Sequence, residues 1–164
     1  AYYIDYNKDN LEKTLQAKHI HYRNYSNEFG ARQSDLKFYS NDGYLDFSKY
    51  VQSTQFRNGL ERIKTGIAAG FDFVLMCAEK NPAMCHRTIM IAREFAKEGY
   101  EVIHILPGHC IITQVEVEDE MVSEYFPKTN QLSMFLDTPT REEMVNIVYQ
   151  KRNAEIGFKS EDGE

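Results

Sequence analysis

The feature that most constrains this chain is Phe71-Asp72-Phe73-Val74-Leu75-Met76-Cys77, a nearly continuous apolar run between Gly70 and a polar loop containing Asn81-Pro82. A run of that length reads as a strand buried on both faces, as in a parallel sheet. Ile91, Ala92, Phe95 and Ala96 follow at helical spacing, and Gly99 ends that helix. Glu101-Val102-Ile103-His104-Ile105-Leu106 is a second buried run, closed by Pro107-Gly108. Strand 71–77, helix 86–98 and strand 101–106 therefore predict one βαβ unit with a right-handed crossover. The expected fold class is α/β, a small, mostly parallel sheet with helices on both faces in a Rossmann-like three-layer arrangement.

The flanks fill in around that unit. Asn7 or Asp9 caps a helix with Leu11 and Leu15 on one face. His19 to Tyr25 alternates and predicts a strand with Ile20 and Tyr22 inward and His19 and His21 outward. Residues 26–50 show no period, carry the turn signal Asn41-Asp42-Gly43, and form a stretch that is functional or partly helical. Ser53 or Thr54 opens a helix with Phe56, Leu60, Ile63 and Ile67 along its buried stripe, stopped by Gly70. An acidic helix is expected over 115–125. Another starts at Thr140, with Glu143 completing a capping box and Met144, Ile147, Val148 and Lys151 on one face. The expectation is one α/β domain over 1–158 and a frayed polar tail over 159–164.

Composition narrows the function classes. The chain has 164 residues, 42% hydrophobic and 27% charged, with a net charge of −6. No apolar run nears the roughly 18–20 residues that span a bilayer. An acidic chain makes a poor sequence-blind nucleic-acid binder, because phosphate neutralisation needs Lys and Arg in excess. Three cysteines (Cys77, Cys85 and Cys110) do not make a disulfide framework, and no signal peptide is visible, so a reduced, cytoplasmic setting is expected.

The densest chemistry is Cys77-Ala78-Glu79-Lys80-Asn81-Pro82-Ala83-Met84-Cys85-His86-Arg87, at the carboxyl end of the predicted strand and the start of the following helix. In open α/β sheets that edge binds ligands. The helix start with Arg87 offers an anion or phosphate seat. The same field favours the Cys85 thiolate, and Glu79 suits a general base. Parallel topology would bring Gly108, His109 and Cys110 to this edge. His104, mid-strand, reads as a hydrogen-bonded core histidine. Cys77, Cys85, His109 and Cys110 supply zinc-ligand types, but their spacing fits no common finger or ribbon. A cysteine-phosphatase loop does not fit either, since Cys77 is too far from Arg87 and Cys85 too close.

Cys77-Ala78-Glu79, Pro82, Cys85-His86-Arg87 and then Val102-x-His104-Ile105 resemble the pattern of the bacterial and archaeal family called domain of unknown function 488. Phe29-Gly30-Ala31-Arg32 is similar to its glycine-arginine stretch, with Ala31 where the family has a second glycine. Tyr50 to Phe56 with Gly59-Leu60, and Arg152 to Phe158, extend the resemblance along most of the chain. Family members open with a strand, a helix and a second strand ending near an Asp-x-Arg stretch. This chain starts just after that point, so one edge of the expected site lies outside it. The resemblance implies a compact α/β domain. It marks Cys77, Glu79, Cys85, His86, Arg87 and His104 as site positions, with Gly30 and Arg32 behind them.

Three functions compete at this stage. The first is an enzyme acting on a phosphorylated or nucleotide-like small molecule, with Arg87 holding the anion, Glu79 or His86 moving a proton and Cys85 or Cys77 as nucleophile. The second is a non-catalytic nucleotide or anion sensor, including one linked to modified nucleic acid. The third is a zinc-stabilised domain. No cofactor is otherwise evident.

Overall fold

The computed structural model describes residues 7–127 and 139–159. Helices dominate: α1 (Lys8–Gln16), α2 (Ser26–Phe29), α3 (Phe47–Tyr50), α4 (Thr54–Ala68), α5 (Arg93–Lys97), α6 (Gln114–Tyr125) and α7 (Arg141–Ile156). Among the described residues the only sheet has two antiparallel strands, β1 (Ile103–Ile105) and β2 (Ile111–Thr113), with His104 opposite Ile112. This overturns the expected mostly parallel, Rossmann-like three-layer fold.

The reason lies in where each apolar run finds hydrogen-bond partners. Run 101–106 pairs with the chain immediately after it. Leu106 N–H donates to the Cys110 carbonyl at 2.8 Å, and Gly108 and His109 turn the backbone with φ of 78° and 63°. Closing so short a loop costs less chain entropy than bringing together strands separated by a helix. Pro107-Gly108, read as the end of a strand, is instead the bend of a hairpin. Run 71–77 is not a strand. No ladder joins it to another segment among the described residues, and Phe71, Val74 and Met76 are 60%, 76% and 59% exposed. Its anchor is Phe73, whose ring covers Gly66 so closely that a Cβ there would stand 2.4 Å away. Segment 19–25 likewise forms no strand; Ile20 is exposed and His19 has φ of 59°.

The helices follow local signals. Ser53 caps α4 by accepting from Phe56 N–H at 3.1 Å. Phe56, Leu60 and Ile63 are buried, each worth about 1.5–3 kcal/mol, whereas Ile67 at the frayed end is exposed. Thr140 and Glu143 form the expected capping box of α7, and Thr113 and Glu116 make a second on α6. The inward face of α7 carries Val148, Tyr149, Arg152 and Asn153, while Lys151 lies over the rings of Tyr125 and Phe126. Segment 26–50 folds as short helical turns that bury Phe29, Tyr39, Leu45, Phe47 and Tyr50. Asn153 clamps this segment: its Oδ1 accepts from Phe47 N–H and its Nδ2 donates to the Leu45 carbonyl, both at 2.9 Å. Lys159, assigned to the tail, bridges to Tyr44, and 160–164 lie outside the described residues. One hydrophobic cluster runs from Phe29 through α4 and Ile89–Ile91 to Tyr149.

Candidate functional site

Leaving α4 at Gly70 (φ 87°), the chain crosses the exposed run to Cys77, then turns through 78–81. Asn81 accepts from Ala83 N–H at 2.9 Å and starts a tight turn over Pro82–Met84. Cys85 N–H closes that turn on the Pro82 carbonyl at 3.1 Å. The backbone then enters a π-helical turn over Arg87–Ala92 before settling into α5. Such turns gather at functional sites because they re-aim side chains that an α-helix would space evenly. Here five consecutive residues, Thr88 to Ala92, are buried, and the Thr88 hydroxyl has no hydrogen-bond partner.

The result is a compact cluster. The Sγ atoms of Cys77 and Cys85 and a ring nitrogen of His86 all lie within 4.8 Å of one another. Cys77 Sγ is 3.6 Å from His86 Nδ1. Cys85 is fully buried and Cys77 partly exposed. The Cys85 thiol donates toward Cys77 and, with His86 and the backbone N–H of Glu79, holds the Cys77 thiol far below its ordinary range against the opposing effect of burial. Cys85 moves the other way, because its proton is held between the sulfurs and its surroundings exclude water. The two thiols are thus pushed in opposite directions, the more accessible one toward the thiolate and the buried one toward the thiol.

Arg87 stands beside this pair. One guanidinium N–H donates to the Leu75 carbonyl at 3.2 Å, and no carboxylate lies within 4.0 Å of it among the described residues. The expected anion seat at the helix start is largely consumed: Thr88 N–H and Ile89 N–H both donate to the Cys85 carbonyl, at 2.9 and 3.0 Å. Arg87 is left as the cation facing the cysteines.

The remaining site positions fall in three places. His104 is a buried core histidine, as its mid-strand position suggests. Burial holds its pKa down, with the Arg87 charge acting in the same direction against the Gln114 hydrogen bond. Its Nε2 meets Gln114 Oε1 at 2.7 Å; Gln114 Nε2 donates to Tyr149 Oη at 2.5 Å, which in turn donates to Glu118 at 2.8 Å. With the Gln114 oxygen as acceptor, His104 carries its hydrogen on Nε2. Glu79 brings its backbone to Cys77, while its side chain is exposed. Gly30 ends α2. Arg32 lines a separate open cleft of about 700 Å³ with Gln33, Gln55, Asn58 and Arg62, into which none of residues 77–87 projects. His109 and Cys110 sit at the hairpin bend and do not join the cysteine cluster. Cys77, Cys85 and His86 therefore offer three donors, where a closed structural zinc site needs four, and no fourth His, Cys or carboxylate joins them among the described residues.

Neither the π-helical turn nor the pairing of the two sulfurs was visible in the sequence. The stretch between the cysteines crosses a loop and the Asn81-Pro82 turn, so no helical or strand period relates them. The density of reactive side chains over Cys77–Arg87 and the family resemblance pointed to this place.

The site is a thiol pair beside an uncompensated arginine on a mainly helical scaffold. The family model described as Domain of unknown function DUF488 matches residues 3–93, which include the whole of Cys77–Arg87. The chain belongs to that family. No curated protein and no solved structure matches it. No helix among the described residues is long and apolar enough to cross a membrane.

Proposed function

We propose that this chain is a cytoplasmic enzyme that uses the Cys77 thiolate against a phosphorylated or nucleotide-like small molecule held by Arg87. The observation that carries the reading is the arrangement at Cys77. A partly exposed sulfur faces a buried thiol and an imidazole, and the Arg87 guanidinium, whose charge acts on Cys85, has no carboxylate within 4.0 Å among the described residues. A reduced compartment keeps all three cysteines free.

The chemistry is nucleophilic transfer. Cys77 Sγ forms a bond to the electrophilic atom of the substrate, and the bond to the leaving group breaks with its electron pair. His86, whose Nδ1 lies 3.6 Å from the sulfur, can as an imidazolium supply the proton that the leaving group takes. Water then cleaves the bond to Cys77, returns the thiolate and restores the proton to His86. Cys85 remains a hydrogen-bond donor throughout. Arg87 fixes the anionic portion of the substrate, and the Nε2–H tautomer of His104 keeps the ground behind it neutral.

The test is a panel of nucleotides and sugar or alcohol phosphates, read by intact mass and by thermal stability. A hit is expected to raise Tm and leave a covalent adduct that maps to Cys77 and is absent in Cys77→Ser. A ligand that raises Tm, persists unchanged and leaves Cys77 unmodified makes the site a sensor and overturns the enzymatic reading. Uptake of one zinc per chain through Cys77 and Cys85 overturns the nucleophile assignment.

A further inference from the structure

We infer that Cys77 and Cys85 form a reversible disulfide when the protein meets a hydroperoxide, so that the thiol pair is an oxidative modification site. The inference rests on the placement of the two sulfurs and stands whether or not the catalytic reading holds.

Three observations carry it. The sulfurs lie within 4.8 Å of each other, and a disulfide needs about 2.05 Å, so the gap is under 3 Å. The segment that must move is lightly held: among the described residues 71–77 belong to no ladder, and beyond Phe73 over Gly66, the Phe71 N–H bond to Gly66 and the Arg87 bond to the Leu75 carbonyl, Phe71, Val74 and Met76 stand largely exposed. Cys85, by contrast, is fixed. Its N–H closes the Pro82 turn, and its carbonyl accepts from Thr88 and Ile89 at the start of the π-helical turn. A partly exposed thiol on a lightly held segment thus faces a buried one on a fixed turn, the arrangement of an attacking and a resolving cysteine.

The steps balance. Cys77 Sγ attacks the distal oxygen of the hydroperoxide and the O–O bond breaks. The departing alkoxide or hydroxide takes a proton, for which the imidazole at 3.6 Å is the nearest donor. Sulfur loses two electrons, the peroxide gains them, and Cys77 becomes a sulfenic acid. Cys85 Sγ then attacks Cys77 Sγ, the S–O bond breaks, and water leaves with the Cys85 proton. Two thiols and one hydroperoxide give one disulfide, one alcohol or water, and one further water. The closeness of Cys85 to Cys77 makes this second step intramolecular, and it then outruns over-oxidation to the sulfinic acid, which needs a second peroxide. The disulfide would also occupy the sulfur beside Arg87 and pin the 71–77 segment to the core.

The experiment treats the full chain, reduced and metal-free, with graded hydrogen peroxide and no other ligand. It is read by intact mass and by peptide mapping after alkylation. The expected result is a loss of two hydrogens at about one equivalent of peroxide, a single linked peptide pair containing Cys77 and Cys85, and full reversal by dithiothreitol. Cys77 should be consumed roughly tenfold faster than a free cysteine in an unstructured peptide at neutral pH, because the ordinary thiol is only a few per cent ionised there. Cys85→Ala should accumulate a Cys77 sulfenic acid that dimedone traps. Cys110→Ala should behave as the unmodified chain, which keeps the result readable if Cys85→Ala folds poorly. Sulfinic acid at Cys77 without a disulfide, or a link from Cys77 to Cys110 or to a second chain, would overturn the inference. This disulfide, together with a nucleotide and phosphate panel that leaves Cys77 unmodified, would leave the inference intact while overturning the catalytic reading.

Discussion

Two arginines on opposite sides of one short turn illustrate how this molecule separates structure from chemistry. Arg152, on α7, has a side chain only 5% exposed and reaches Glu124 at 2.5 Å, Glu155 at 2.8 Å and the sulfur of Met84 at 2.9 Å. Arg87, just past the same Pro82–Met84 turn, donates to the Leu75 carbonyl and meets no carboxylate among the described residues. A buried cation with its counter-charges supplied holds the fold. One left uncompensated beside a pair of thiols has its charge available to a ligand. Arg152 tethers the turn from behind while Arg87 faces the place where the turn delivers Cys85.

That contrast can be broken by substitution. The largest effect is expected for Cys77→Ser, which should reduce adduct formation or turnover with any confirmed substrate by at least about a thousandfold while leaving Tm nearly unchanged, as measured by intact mass and calorimetry. Arg152→Ala should cost about 2–4 kcal/mol in denaturant unfolding, through lost packing of its stem and lost charge-assisted bonds, with alkylation of Cys77 in the folded fraction unaltered. Arg87→Ala should do the reverse: under about 1 kcal/mol of stability, but tenfold to a hundredfold weaker binding of a phosphorylated ligand by titration calorimetry. If both variants lose stability equally, the division between them fails.

Smaller effects sharpen the picture. Asn153→Ala removes both bonds to the Leu45–Phe47 segment and should cost about 1–3 kcal/mol, most of it in faster unfolding if that clamp forms late. His104 adds a pH dependence of definite sign. Its pKa in the fold is held below its unfolded value near 6.5, so the fold favours the neutral ring. The stability this contributes is present above pH about 6.5 and is lost as pH falls through that value toward the folded one. Urea midpoints from pH 7 to 5 should fall less steeply in His104→Gln than in the unmodified chain.

How much of this was legible in the sequence depends on the range of the interactions involved. Helix α4 was readable because Ser53, the Phe56–Leu60–Ile63 stripe and Gly70 lie within reach of one another, and a helix closes its bonds inside itself. The capping box at Thr140 and Glu143 was readable for the same reason. Run 71–77 was misread because a strand is a statement about a neighbour. The period of Phe71 to Cys77 is compatible with a buried strand, but nothing local states whether another backbone comes alongside. Run 101–106 was identified as a strand but given the wrong partner, since Pro107-Gly108-His109 turned it back on residues 111–113. At the candidate site, the density of reactive side chains over Cys77–Arg87 singled out the segment, but not that Cys77, Cys85 and His86 come within 4.8 Å of one another. A position at a helix start suggested an exposed, charged Cys85, whereas the fold buries it, an outcome set by packing that spacing does not encode.

The central claim is that Cys77 is the ionised, attacking sulfur and Cys85 its protonated partner. The most direct measurement is the rate of iodoacetamide alkylation at each cysteine as a function of pH, resolved by peptide mapping on the reduced chain. The account predicts a Cys77 rate that is flat from about pH 5.5 to 8 and no reaction at Cys85. In Cys85→Ala the Cys77 profile should shift upward in pH, because the donor that holds its charge is gone. A Cys77 rate that climbs across the range, or preferential alkylation of Cys85, would contradict it.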